Sequence, residues 1–186
     1  TFCLIALLAA APALADVVAK DDDGRTAHLT QPARRIVSLS PHITENLFAI
    51  GAGSRVVGTV EFSNYPEEAK QIRRIGSYEK IDLEAVAALR PDLVIAWKDS
   101  FRPADIPRLE ALGARVFVVQ SRTLAEIPRL LALTATLTGG DAGRAAREFE
   151  SRLAAVRSRH AGRAPHGTHR QRVGAAAHCP PQSRRR

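Results

Sequence analysis

Cysteine is nearly absent from this sequence. Its 186 residues contain only Cys3 and Cys179, which excludes a disulfide-stapled scaffold and any metal site built from several cysteines. No apolar run reaches the roughly 18–20 residues that a membrane-spanning helix needs. The nucleophile elbow, the phosphate-binding loop and the metalloprotease motif are missing too. With 45% hydrophobic and 25% charged residues, the chain has the composition of a globular protein of one domain, or one and a half.

Acidic residues are missing from the end of the chain. Residues 157–186 contain no Asp or Glu but carry Arg157, Arg159, Arg163, Arg170, Arg172, Arg184, Arg185 and Arg186. These arginines account for the whole net charge of +8, so the preceding body is neutral and gives no electrostatic reason to bind nucleic acid. The scarcity of apolar residues predicts a disordered basic tail over 160–186. Its histidines and Cys179 have irregular spacing, so we predict no metal site.

The first fifteen residues read TFCLIALLAAAPALA and end in Ala13-Leu14-Ala15. An apolar core followed by small residues at the third-last and last positions is the signature of a secretory signal peptide. A buried helix or strand is the alternative, but the polar stretch 20–24 that follows favours the signal peptide. We therefore predict a signal peptide over 1–15 and a flexible segment over 16–33.

Between residues 34 and 122, short apolar runs alternate with segments of helical periodicity. The predicted strands are 34–39, 55–60, 92–97 and 115–119, and the predicted helices are 42–50, 82–89 and 105–112, with a helical turn at 66–68. The run 92–97 (DLVIAW) is apolar almost throughout, which is typical of a strand covered on both faces. This order predicts the α/β class: one Rossmann-like lobe with a mainly parallel sheet flanked by helices.

The pattern changes after this lobe. Thr123 and Glu126 have the spacing of a capping box, and apolar residues then recur at helical intervals. Pro128 should delay the start of the helix, and Gly139-Gly140 interrupt it. Residues 123–159 are therefore predicted to be a long helical segment, in one piece or two, with no strand after it.

The few aromatic residues indicate a cleft. The sequence has one Trp, two Tyr and six Phe. Phe62 follows the strand 55–60, Trp97 ends the strand 92–97, and Tyr78 lies in a loop. Because ligands bind outside the carboxyl ends of strands in an open α/β sheet, these three side chains are placed to line one cleft for a large ring ligand. The alternative, that loop aromatics only pin the core, stays open.

Two other patterns have simpler interpretations. Gly51-Ala52-Gly53 looks like part of a dinucleotide fingerprint, but it follows a helix and precedes a strand, the reverse of what phosphate binding requires. We interpret it as a turn. His42 and Glu45 lie one helical turn apart, but no third ligand has a readable spacing, so we predict no metal centre there.

Two stretches carry a resemblance to a known family: RIVSLSPHITENLFAIGAGSRVVGTVEFSNYP (35–66) and IGSYEKIDLEAVAALRPDLVIAW (75–97). They resemble the N-terminal lobe of class III periplasmic binding proteins, the receptors that deliver cobalamin, haem and iron–siderophores to ABC importers. The likeness runs from about residue 34 to 159 and is nearest to the cobalamin-binding proteins. It implies a periplasmic receptor without catalytic residues or a resident cofactor, with ligand held between two α/β lobes that a rigid helix, here 123–159, would join.

The resemblance also implies roles for individual residues. Ligand contacts would come from Pro41 and His42 after the first strand, and from Phe62, Tyr78 and Trp97. Glu84, at the start of a helix, would dock onto arginines of the importer's permease at the inner membrane. A favourable charge at a helix N-terminus is a second explanation of Glu84, and both can hold together.

The C-terminal lobe of the family has no counterpart after residue 159. Composition and charge change together near residues 160–165, which predicts a shifted reading frame there. We expect a periplasmic binding protein, or the N-terminal half of one, for cobalamin or a related corrinoid. The alternatives are haem or a ferric siderophore on the same fold (with Tyr78 as a haem-iron ligand), a secreted α/β enzyme, and a polyanion binder that acts through the tail.

Overall fold

The computed structural model describes residues 16–77 and 80–161. Its contacts divide the chain into a larger unit that ends at Ser151 and a second unit that begins at Arg152. The described part of the second unit is the end of one helix. The predicted signal peptide at 1–15 lies outside the described residues, as does the predicted tail beyond residue 161.

Residues 16–33 are not the flexible segment that their polar character suggested. They contain an antiparallel hairpin of β1 (Val17–Lys20) and β2 (Thr26–Leu29). Val17 and Ala19 are buried and alternate with exposed residues, so one face of the hairpin joins the hydrophobic core. The prediction was wrong because four-residue strands carry too little periodicity to be recognised beside the acidic turn 20–24.

A parallel sheet of four strands forms the centre of the larger unit. Its strands are β3 (Ile36–Ser38), β4 (Val56–Thr59), β5 (Leu93–Trp97) and β6 (Arg115–Val119), in the spatial order β4-β3-β5-β6. Helix α1 (Pro41–Ala49) follows β3, α2 (Leu83–Leu89) precedes β5, and α3 (Ile106–Ala111) leads into β6. The predicted α/β class with a parallel sheet is confirmed.

The sheet is buried on both faces, as the apolar run in β5 indicated. Leu93 and Ile95 belong to a core cluster with residues of α1 and of the later helix α4 (Ile127–Thr138). Val94 and Ala96 point the other way, into a cluster with residues of α2 and α3. Successive side chains of one strand therefore hold helices against opposite faces.

The helical segment after β6 consists of two helices, α4 and α5 (Ala142–His160), and not of one. Gly139 ends α4 with a φ of 67°, a left-handed conformation that suits glycine. A Cβ on Gly140 would lie 2.7 Å from the carbonyl oxygen of Ile50, so glycine is required where the turn passes close to the end of α1. Pro128 lies in the first turn of α4, where proline is tolerated.

The hairpin turn closes the outer edge of β6. The Val118 amide donates to a carboxylate oxygen of Asp21 (3.3 Å), and the Gln120 amide donates to the carboxylate of Asp22 (2.6 Å). The Val118 carbonyl accepts from the backbone amide of Asp22 (2.9 Å). Arg25 donates to the Val116 carbonyl (2.8 Å). The turn thus satisfies backbone groups of an edge strand with side chains as well as backbone.

Candidate ligand-binding site

The strand order creates a crevice between β3 and β5. The chain leaves β3 towards β4 on one side and leaves β5 towards β6 on the other. In open parallel sheets, ligands bind at such a reversal, outside the carboxyl ends of the strands. We call the edge formed by the carboxyl ends of β3, β4 and β5 the carboxyl edge.

His42 and Trp97 meet at this reversal. Ser40 is the N-cap of α1, Pro41 occupies the first helical turn, and His42 follows it. Trp97 is the last residue of β5. The two rings have centroids 4.3 Å apart and planes at 88°, an edge-to-face contact. The structure therefore brings together two of the residues predicted to bind ligand, and Pro41, which directly precedes His42, is half-buried.

The surroundings of the His42 ring disfavour its protonated form. Its Nδ1 lies 2.7 Å from the Ser40 hydroxyl, while Nε2 is buried and has no hydrogen-bond partner among the described residues. Burial lowers the pKa of His42 below its ordinary value. A ring whose charged form is disfavoured and that contacts an indole suits an uncharged ligand at the carboxyl edge.

Phe62 lies in the loop that follows β4. Its side chain is 72% exposed, and its φ of 66° is in the left-handed region. That conformation costs a residue with a Cβ about 1–2 kcal/mol. The exposed Phe62 ring gains little burial energy within the described part of the fold, although its backbone conformation is strained. This combination is expected of a residue whose ring contacts a ligand.

The loop that carries Phe62, residues 60–75, is called the Phe62 loop. Hydrogen bonds hold it at its base and in its interior. Backbone hydrogen bonds join the Glu61 amide to the Gly76 carbonyl (2.9 Å) and the Ile75 amide to the Thr59 carbonyl (3.0 Å). Arg74 lies inside the loop and donates to four acceptors: the carbonyls of Ser63, Ala69 and Ile72 and the side-chain oxygen of Asn64. The loop is therefore a formed part of the carboxyl edge.

A row of buried hydroxyl groups lies beneath the carboxyl edge. It consists of Ser38 at the end of β3, Thr44 in α1, Thr59 at the end of β4, and Ser63 in the Phe62 loop, each at most 1% exposed. Neighbouring hydroxyl oxygens are 2.7 to 2.9 Å apart. This row was not predicted from the sequence. The available signal was that each strand of the β3–β4 pair ends in a small hydroxyl residue.

Lys98 follows Trp97 and is held by the hairpin turn. Its ammonium lies 2.8 Å from the Asp23 carboxylate and donates to the Asp22 carbonyl (2.9 Å). The hydrogen bond to Asp23 raises the pKa of Lys98. Asp22 also pairs with Arg129 of α4 (2.9 Å). These contacts were not predicted, because nothing local to residues 20–24 indicates partners so far along the chain.

Two predicted functional residues remain, Glu84 and Tyr78. Glu84 is exposed in the first turn of α2, where Asp82 caps the helix through the Ala85 amide (2.9 Å). It borders an open groove of about 720 Å³ that Glu61, Ser77 and Asp82 also line. Tyr78 lies outside the described residues, so its predicted role stays a prediction.

A second groove lies away from these residues. It measures about 440 Å³ and is lined by residues that include Phe48, Val56 and Ile72, near the amino end of β4. It contains neither His42 nor Trp97. Because ligands of parallel sheets bind at carboxyl ends, we assign the site to the carboxyl edge and not to this groove.

The described residues contain neither a metal cluster nor a membrane span. Within 16–77 and 80–161, no group of three or more His, Cys, Asp or Glu side chains is arranged to hold a metal ion. Over the same residues, no helix combines the length and the apolar character needed to cross a bilayer.

This chain has relatives among known proteins. The sequence profile described as periplasmic binding protein matches residues 36–166. The vitamin B12-binding protein of Vibrio cholerae serotype O1 is 36% identical over 136 residues, which cover 72% of this chain and 49% of that protein. The vitamin B12-binding protein of Pectobacterium carotovorum is 34% identical over 126 residues, covering 67% and 46% respectively. The chain thus spans about half the length of the curated relatives it matches.

The solved structures that match this chain include further periplasmic binding proteins. The periplasmic vitamin B12 binding protein of Vibrio cholerae matches with a TM-score of 0.61 and 36% identity, covering 70% of this chain and 52% of that one. The periplasmic heme-binding protein RhuT of Roseiflexus sp. RS-1, in its apo form, matches with a TM-score of 0.58 and 30% identity, covering 68% and 49%.

Proposed function

Because the chain belongs to the periplasmic binding protein family, we propose that it takes part in capturing cobalamin or a related corrinoid in the periplasm and in delivering it to an ABC importer. The observation that carries this proposal is the edge-to-face contact of His42 with Trp97 at the reversal of the sheet. Together with exposed Phe62, it provides aromatic surface for a large, flat ring. The relatives named for vitamin B12 binding support the choice of ring.

The charges at the carboxyl edge favour a ring without acidic groups. Haem carries two carboxylates that need cationic partners. Lys98, directly after β5, is paired with Asp23, and the Arg74 guanidinium already donates to four oxygens of the Phe62 loop. Lys80 lines the neighbouring groove together with three acidic residues, Glu61, Asp82 and Glu84. The corrin ring of cobalamin carries uncharged amide groups and packs more easily against a neutral His42. Binding is non-covalent and requires no catalytic group.

A titration with cyanocobalamin tests the proposal. Trp97 is the only tryptophan, so ligand packed against it should quench the fluorescence of the 186-residue chain in a saturable way, with equilibrium dialysis as a check on light absorption by the ligand. Phe62→Ala and His42→Ala should each weaken binding about fivefold or more, because each removes an aromatic contact. Because the family holds its ligand between two lobes, the titration is repeated with a version that carries a restored C-terminal lobe. No saturable binding by either protein would refute the proposal.

A matched control separates a specific site from general apolar binding. Leu112 is also an exposed large apolar residue, but it follows α3 and precedes β6, at the opposite end of the sheet. Leu112→Ala should leave the affinity for cyanocobalamin unchanged. An equal loss in Leu112→Ala and Phe62→Ala would contradict the assignment to the carboxyl edge.

Haem is the second candidate ligand, favoured by the 30% identity to the heme-binding protein RhuT. Tyr78 would then supply a phenolate to the iron. Haemin binding with a Soret band that Tyr78→Phe abolishes, together with no binding of cyanocobalamin, would transfer the assignment to haem.

Glu84 is proposed as the contact with the importer. Its carboxylate is exposed in the first turn of α2. Glu84→Gln removes one charge and keeps the shape of the side chain. It should leave cyanocobalamin affinity unchanged and weaken association with vesicles that contain the importer. A loss of ligand affinity in this variant would contradict the separation of the two roles.

A further inference from the structure

The buried hydroxyl row joins the two parts of the candidate site. Its first end is at His42, because the Ser38 hydroxyl donates to the Ser40 carbonyl (3.0 Å) and the Ser40 hydroxyl contacts the His42 ring. From Ser38 the row runs to Thr44 (2.9 Å) and on to Thr59 (2.7 Å). Polar contacts thus connect the end of β3, the first turns of α1 and the end of β4.

The second end of the row is at the Phe62 loop. The Thr59 hydroxyl donates to the Ser63 hydroxyl (2.8 Å), and Ser63 directly follows Phe62. Arg74 holds the Ser63 carbonyl from the other side (2.9 Å). The residue before Phe62, Glu61, is tied to Gly76. Both neighbours of Phe62 are therefore anchored while the Phe62 side chain itself is exposed.

We propose that Thr59 and Ser63 are positioning residues for ligand binding, whose hydroxyl contact holds Phe62 in its left-handed, exposed conformation at the same sheet edge as the His42–Trp97 pair. This inference rests on the function proposed above. A left-handed φ is unfavourable for phenylalanine, and the exposed ring gains little burial to offset it. The conformation therefore persists only if neighbouring contacts determine it. Among the contacts that anchor the two neighbours of Phe62, the one between Thr59 and Ser63 joins two fully buried side chains.

If the hydroxyl row had a purely structural role, the effects of removing one hydroxyl group would differ. If the row only satisfies buried hydroxyl groups, removing one should loosen the whole carboxyl edge and not Phe62 in particular. Two backbone amides distinguish these cases without any ligand. The Asn64 amide donates to the Phe62 carbonyl (2.9 Å) and reports on the Phe62 turn, whereas the Glu61 amide donates to Gly76 and reports on the base of the loop.

The test uses Thr59→Val, which keeps the shape and removes the hydroxyl, and Thr59→Ser, which keeps the hydroxyl. In the ligand-free 186-residue chain, Thr59→Val should speed solvent exchange of the Asn64 amide severalfold and leave that of Glu61 unchanged. Thr59→Ser should restore slow exchange. Ser63→Ala removes the same contact from its other side and should reproduce the effect, and the double variant should add little.

Ligand affinity provides the second measurement. Thr59→Val should weaken cyanocobalamin binding about three- to tenfold, the range that one lost hydrogen bond covers, and Thr59→Ser should stay within about twofold of the unaltered chain. Equal acceleration of both amides, or unchanged exchange at Asn64, would overturn the positioning role. If neither the unaltered chain nor the version with a restored C-terminal lobe binds cyanocobalamin, the proposed function fails, whereas the exchange rates still decide whether Thr59 positions Phe62.

Discussion

Replacement of Asp21 by alanine tests the contact between the hairpin and the sheet. The Asp21 carboxylate is almost fully buried, with 1% of the side chain exposed. It accepts from the Arg25 amide (2.7 Å), the Asp23 amide (3.0 Å) and the Val118 amide (3.3 Å). It also pairs with the Arg25 guanidinium (3.2 Å). Asp21→Ala removes all of these contacts together.

The loss of stability in Asp21→Ala depends on which hydrogen-bond partners each contacting group retains. The Val118 amide stays buried without its side-chain acceptor, which costs about 1–3 kcal/mol. Arg25 keeps the Val116 carbonyl (2.8 Å) and Glu110 (3.1 Å), so it does not become an unpaired buried charge. Loss of the acceptor that closes the turn adds about 1 kcal/mol. We expect the free energy of unfolding to fall by about 3 kcal/mol and Tm to fall by roughly 6–12 °C.

Urea unfolding followed by Trp97 fluorescence and far-UV circular dichroism measures this change. Glu67→Ala is the control, because it removes an exposed ion pair with Lys70 (2.7 Å) that should contribute less than about 1 kcal/mol. A change below about 1 kcal/mol in Asp21→Ala would refute the conclusion that the turn stabilises the edge of β6.

Three further predictions concern the carboxyl edge. Burial lowers the pKa of His42, so the unfolded chain binds the proton more tightly, and stability should fall as the pH drops below roughly 6.5; urea midpoints of His42→Asn should fall less over that range. Phe62→Gly should raise the unfolding free energy by up to about 1 kcal/mol by calorimetry, because it relieves the left-handed strain, and weaken cyanocobalamin binding by dialysis; a destabilised variant would contradict the strain. Gly76→Ala should cost about 2 kcal/mol or more in urea unfolding, because φ is 105° and a Cβ would collide with the Lys80 carbonyl; a neutral result would contradict this geometry.

The sequence predicted the sheet well because its strands are buried on both faces. A run such as DLVIAW needs no partner to be recognised, and Pro and Gly mark the ends of the flanking helices. The meeting of His42 and Trp97 was also predictable in kind, since residues after parallel strands share one edge. The break between α4 and α5 could not be decided from Gly139-Gly140 alone, because it depends on the approach to Ile50.

Features that depend on distant partners were not predictable. The hairpin was missed because Asp21 and Asp22 look like solvated acids until β6 is placed beside them. The hydroxyl row was missed because serine and threonine at strand ends usually contact water or the local backbone. In both cases the local sequence favours one environment and the tertiary structure supplies another.

The hairpin contact also has a consequence for the order of folding during synthesis. Asp22 binds Gln120 and Arg129, which lie 98 and 107 residues later in the chain. Loop closure over such distances is slow, and these partners do not exist when the amino-terminal residues are first made. Until the hairpin turn has packed against β6, that strand exposes unpaired backbone groups to any neighbouring chain. We therefore expect the contact between the hairpin and β6 to close late. A chain that stalls before this contact forms should be prone to strand pairing between molecules.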